Sequence, residues 1–292
     1  MSDGAPARED GAPQAPDRQS TRFASTDEDV IVFRSVDGTL FNIHRCNLRC
    51  ASDGPFSEDF PATPGEKVEL TEDADTLETL FSFVYPGVYP SLVDMPFAKL
   101  ALVAEAAEKY RVAPAIGVCL VVFRLEALYK SQSIELLDFA HKHGYSDLLE
   151  LAAPHSLTTS IKEARKKLPI SLFAAWAEYK ESWENVAGID CNEIRFNRSH
   201  SRLEPCPNWP RLASVIDEIM TDQRDSVPIK EWRAEWYSVF RIPDLLSCCS
   251  VKCDSGEYSA CEAQVEEWRV YMRHMAFDMP PLSTFISGQR NE

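Results

Sequence analysis

Asp29-Val30-Ile31-Val32-Phe33-Arg34-Ser35-Val36-Asp37-Gly38-Thr39-Leu40-Phe41-Asn42-Ile43-His44 is the stretch on which the fold turns. Val30 to Phe33 is a compact run of β-favouring residues. Asp37-Gly38 is the dipeptide best suited to a tight hairpin turn, and Thr39 to Ile43 reads as the returning strand. Order is expected to begin at Asp29. Upstream, residues 1–25 are mostly Ala, Pro, Gly, Ser, Asp and Arg with a single aromatic, too little to offset the entropy of ordering them, so a flexible tail is expected there.

Downstream, His44 to Phe60 alternates short polar and apolar groups with Leu48, Phe56 and Phe60 as anchors. This suggests one or two short helices broken near Asp53-Gly54-Pro55. Lys67 to Leu70 reads as a third strand. Asp75 and Glu78 form an Asp-x-x-Glu capping box that should open a helix, with Leu77, Leu80, Phe81 and Val84 as its buried stripe and Pro86-Gly87 as its stop. Further amphipathic helices are expected over 98–111 and 115–128. A helical hairpin is expected over 131–152, with Gly144 in the left-handed terminal position and Ser146 or Asp147 capping the second helix. Helices are also expected over 171–187, 209–222, 228–240 and 261–277. All six tryptophans lie in this last region, which reads as a mainly α-helical domain. No internal repeat is evident.

The residues Asp29-Val30, Val36 to Leu48, Ser52 and Phe56 together resemble the opening of a BTB/POZ domain. Val68 to Asp73, Phe81 to Gly87 and Ala104 to Val112 continue the resemblance in the same order, over roughly residues 26–125. Val30, Gly38, His44, Leu48, Ser52, Phe56, Tyr85 and Gly87 occupy its structural motif positions. Residues 126–168 resemble the BACK-like helices that often follow such a domain, and 169–292 is reminiscent of the downstream regions of the expanded fungal BTB proteins. The fold class implied is α+β: a short mixed sheet with a helix cluster, then a mainly α-helical C-terminal region.

The resemblance implies a non-catalytic module that forms homodimers or heterodimers and recruits partner proteins. Family members serve as substrate adaptors of cullin ubiquitin ligases or as transcriptional and chromatin regulators acting through corepressors. It places Asp29 and Arg45 as an opposite-charge pair beside the dimer groove. The cullin-recruiting motif, a hydrophobic residue two before Glu, here reads Pro64-Gly65-Glu66, which departs at its first position. With 1–25 read as a tail, the extra N-terminal strand that some members exchange across the dimer is expected to be missing.

Composition narrows the classes. At 292 residues, about two domains are expected, and 45% hydrophobic with 26% charged residues describes a chain most of which folds. A net charge of −16 argues against direct binding to nucleic acid or anionic lipid. The chain shows no membrane-spanning run and no secretory signal, and nine cysteines are an odd number, so reduced thiols in the cytoplasm or nucleus are expected. There the Asn197-Arg198-Ser199 sequon carries no meaning.

Four constellations carry some chemistry. His44 with Cys46 and Cys50 could be a Cys–His nucleophile, or His44 could fix the strand-to-helix corner. His141 and His143, two apart on a helix, point away from each other and cannot share a metal. Cys248, Cys249, Cys253 and Cys261, with Cys191, His200 and Cys206, could hold structural zinc or be ordinary buried thiols, and paired Cys-x-x-Cys units are missing. Lys162 and Arg165-Lys166-Lys167 read as a solvated helix face in preference to a nuclear-import signal. No cofactor loop, metal site or catalytic motif is assigned.

Overall fold

The computed structural model describes residues 16–56, 66–187 and 278–288, with isolated residues between 214 and 275. Its organising element is the hairpin of β2 (Val30–Arg34) and β3 (Thr39–His44), antiparallel with Val30 opposite His44 and Phe33 opposite Phe41. Strand alternation sends Ile31, Phe33, Phe41 and Ile43 to the buried side. The connection is four residues, Ser35 to Gly38, longer than the expected two. The Ser35 hydroxyl donates to Asp37 Oδ1 at 2.6 Å, the Thr39 N–H donates to Ser35 Oγ at 2.8 Å, and Gly38 takes φ 86°. β4 (Lys67–Glu69) runs parallel to β2, as the third strand of the sequence reading.

A fourth strand corrects the tail. β1 (Arg18–Ala24) lies parallel to β3 at the edge of the sheet, giving the order β1-β3-β2-β4. So residues 18–24 are ordered inside the segment read as flexible, and an N-terminal strand is present where none was expected. One aromatic suffices: Phe23 is 5% exposed, with ring centroids 6.1 Å from Phe41, 6.1 Å from Phe81 and 5.6 Å from Tyr85. Arg22 donates to Ser82 Oγ at 2.6 Å, while Gln19 Nε2 donates to the carbonyls of Phe23 and Leu40. Average composition conceals an anchor of this kind, because a strand next to a preformed sheet needs few apolar residues of its own.

Helix α1 (Arg45–Ala51) follows β3 directly. α2 (Ala74–Ser82) starts one residue before the expected capping box, and the box does not form. Asp73 is the cap, accepting from the Thr76 N–H at 2.8 Å, and Asp37 of the hairpin turn accepts from the Ala74 N–H at 3.0 Å. Asp75 instead points outward to Lys99 at 2.9 Å. α3 (Phe97–Tyr110) ends on Arg111 in the left-handed region, φ 55°. α4 (Ala113–Phe123) stops short of the expected Leu128.

The chain divides into two compact units, Met1–Leu125 and Glu126–Glu292. In the first, Phe33, Phe41, Phe56 and Phe81 are fully buried between sheet and helices, and Phe56 stacks on Tyr110 at 4.6 Å. Each such ring contributes about 1.5–3 kcal/mol of transfer free energy.

The second unit holds α5 (Glu126–Ser131), α6 (Ser133–His143), α7 (Ser146–Ala152), a 3-10 turn (Ala153–Thr158), α8 (Ile161–Lys167), α9 (Ile170–Ala187) and α10 (Leu282–Gly288). Gly144 takes φ 79° as expected, but Tyr145 is the N-cap of α7, which has no side-chain cap hydrogen bond, so neither Ser146 nor Asp147 caps it. Trp176, fully buried on α9, donates its indole N–H to Ser156 Oγ at 2.8 Å. The start of α10 is held by Glu150, whose carboxylate accepts from Leu282 and Ser283 N–H at 3.1 and 2.8 Å. Of the helix expected over 261–277, residues 266–267, 270–271 and 274–275 are described and are helical, and of that over 209–222 only Ser214 is described, also helical; the helix expected over 228–240 and the cysteines of the suggested zinc cluster lie outside the described residues.

Candidate functional site

The hairpin register builds the site. With Val30 opposite His44, the next residues outward are Asp29 and Arg45, so the pair named from the sequence is brought together at the corner where β3 passes into α1. The Arg45 N–H donates to the Asp29 carbonyl at 3.0 Å, and the two side chains approach to 3.7 Å. Asp29 is 68% exposed and Arg45 24%. An exposed pair of this kind is worth roughly 0–1 kcal/mol, too little to explain as a stabilising feature.

Beside it, His44 is bound on both ring nitrogens, by Tyr85 Oη to Nδ1 and Asp27 Oδ2 to Nε2, each at 2.8 Å. The His44 backbone N–H also donates to Tyr85 Oη, at 3.2 Å. Tyr85 Oη thus bonds both the backbone and the ring of His44, and with Asp27 it fixes the imidazole at both nitrogens. Hydrogen bonds from His44 and then Ser25 hold the Asp27 carboxyl below its usual range. Neither ring nitrogen is left for a thiol. Cys46 Sγ is directed to Asn47 Oδ1, and His44 serves the strand-to-helix corner.

The other motif positions are structural supports. Leu48 is fully buried under α1, the buried Ser52 hydroxyl donates to the Tyr110 carbonyl at 2.7 Å, and Phe56 sits in the aromatic core. Gly38 takes the left-handed turn position, and Gly87, at φ 145°, lies in the exposed loop after α2. Val30 is half-buried at the start of β2.

Sequence reasoning missed Asp27 and Asp17. Asp17 binds Arg34 at 2.7 Å and also Lys67, and these two bonds lower its carboxyl pKa. The Ser25-x-Asp27 turn, in which the Ser25 hydroxyl donates to Asp27 at 2.8 Å, is the local signal that could have flagged Asp27. Elsewhere, Lys167 of the basic run is paired with Glu135 and Glu163, and α8 exposes that whole face. Among the described residues no helix is long and apolar enough to cross a membrane, and no group of three or more His, Cys, Asp and Glu is placed to hold a metal ion.

Compared with known protein families, curated proteins and solved structures, the chain matches none.

Proposed function

We propose that the first unit is a BTB/POZ-type interaction module that dimerises and recruits partner proteins, with the second unit as its helical extension. The observation that carries this reading is the Asp29–Arg45 pair, set on the α+β frame by the register of a single hairpin. Opposite charges side by side on an exposed corner make a patch complementary to itself, since a two-fold axis can set each acid against the other copy's base. Val36, Val88 and Val93 add exposed apolar surface on the same unit, at 62%, 99% and 57%. In this reading the pair specifies contact and contributes little to folding.

A second reading, an adaptor for a cullin ubiquitin ligase, draws on Glu66, exposed just before β4 where the family's motif places its acid. The departure at Pro64 falls outside the described residues.

Light scattering on the purified chain, wild type against Asp29→Asn with Arg45→Gln, tests the proposal. The expected mass is about twice 32.9 kDa for the wild type, falling toward 32.9 kDa in the double variant. A monomeric wild type would refute dimerisation and favour a one-to-one partner such as a cullin, and a dimer untouched by the variant would remove the pair from the interface.

A further inference from the structure

The two exposed cysteines on α1 are not used by the corner that His44 builds, and their arrangement has chemistry of its own. Cys46 and Cys50 are four residues apart within Arg45–Ala51, and both are exposed and free. Leu48 and Ala51 bury the opposite side of the helix, at 0% and 7% exposure, so the turn bearing the thiols is held against the fold while they face solvent. The third described cysteine provides the contrast. Cys119 is 1% exposed, and burial, followed by the charge of Glu108, pushes its thiol up to about 12, so it stays protonated and out of reach.

Residues one helical turn apart have Cβ atoms about 5–6 Å apart. A disulfide requires Cβ atoms at about 3.5–4.5 Å, so this helix opposes a direct bond between the two sulfurs. Each sulfur stands one bond beyond its Cβ and can lean toward the other. Two sulfurs bound to one centre at about 2.3 Å each need to come only within roughly 4 Å of one another, which side-chain rotation on a helix permits. The pair is therefore shaped to chelate and poorly shaped to crosslink.

We propose that Cys46 and Cys50 form a two-thiolate chelating site for thiophilic centres with two open coordination positions, of which a monosubstituted trivalent arsenical is the simplest. Such a centre is completed by two sulfurs, whereas a tetrahedral metal ion would require two further ligands from elsewhere. The reaction is a condensation without redox change: an arsenic–oxygen double bond and two S–H bonds are replaced by two As–S bonds, with release of one water.

The test uses the full-length reduced protein and phenylarsine oxide, followed by a wash with excess monothiol that displaces singly bound arsenic. Cleavage before aspartate releases Asp37 to Ser52, which contains Cys46 and Cys50 and none of the other seven cysteines. The expected result is one phenylarsenic group in place of two hydrogens on that peptide, with both thiols protected from alkylation. Cys46→Ser or Cys50→Ser should each weaken retention by roughly 10²–10⁴-fold, the gain that a second tethered contact supplies, while Cys119→Ser leaves it unchanged. Circular dichroism of the serine variants checks that the exposed substitutions leave the fold intact. A wild-type peptide free of arsenic after the wash would overturn the proposal.

Discussion

Replacing Phe23 with alanine tests whether β1 is part of the fold. The ring is 5% exposed and sits within 6.1 Å of Phe41 and Phe81 and 5.6 Å of Tyr85. Its transfer term alone is about 1.5–3 kcal/mol, and the cavity left behind raises the usual cost of a buried Phe→Ala change to about 3–5 kcal/mol. Here the strand is at a sheet edge and can detach, which limits the loss to the free energy that docks it, so the lower end, about 3 kcal/mol, is expected. Urea unfolding followed by far-UV circular dichroism reads the change. With a slope of about 1–3 kcal/mol per molar, the first unit's midpoint should fall by roughly 1–3 M. All six tryptophans fall in the second unit, so their fluorescence reports that unit alone. Thr21→Ala, an exposed change on the same strand, is the control. If Phe23→Ala shifts the midpoint no more than Thr21→Ala does, β1 is not packed and the argument for its docking is wrong.

Two further predictions concern the C-terminal end of α3. The Tyr110 hydroxyl donates to Glu72 at 2.6 Å, and burial, then that carboxylate, pushes the phenol from 10.0 up to about 12. Its contribution is whole below pH 10 and fades as pH rises through about 12. Burial alone would raise the Glu72 pKa, but bonds from Lys109 and Tyr110 prevail and hold it below 4.5, so its contribution is present above that value and is lost on acidification. Tyr110→Phe should cost about 1.5–3 kcal/mol at neutral pH and flatten the alkaline limb of a melting-temperature profile; an unchanged profile would contradict the pairing. At the other contact, a methyl group on Gly54 would lie 2.3 Å from Arg111 Cγ and 2.5 Å from its Cβ. Arg111 is held by Asp53 at 3.1 Å and by its own left-handed backbone, so Gly54→Ala should cost about 1–3 kcal/mol in denaturant unfolding. Arg111→Gly in the same chain should recover much of that loss, and a neutral single variant would show that the loop yields freely.

What the sequence disclosed followed the strength of local pattern. The β2–β3 hairpin was legible because β-favouring runs stand on both sides of Asp37-Gly38, and its register then placed Asp29 beside Arg45. Gly144 was legible because only a left-handed terminus calls for it there. The misreadings share a different cause. Phe23 and Asp37 act through partners that no local window contains: Asp37 reaches the Ala74 N–H across 37 residues, and with that distant bond Asp73 rather than Asp75 becomes the cap of α2. A separation of 17 residues hid Asp27, which matters only because the fold brings His44 to it. Glu150, which secures a helix 132 residues later, had no sequence signal at all.

The edge strand also sets an order of events during synthesis. β1 precedes its sheet partner β3 and its anchors on α2 in the chain, with Ser82 lying 60 residues beyond Arg22. Until α2 has emerged from the ribosome, Phe23 has no pocket, and the hairpin can form without it. β1 is thus made before the elements that secure it, and in the interval the nascent chain carries an apolar side chain that a chaperone can bind.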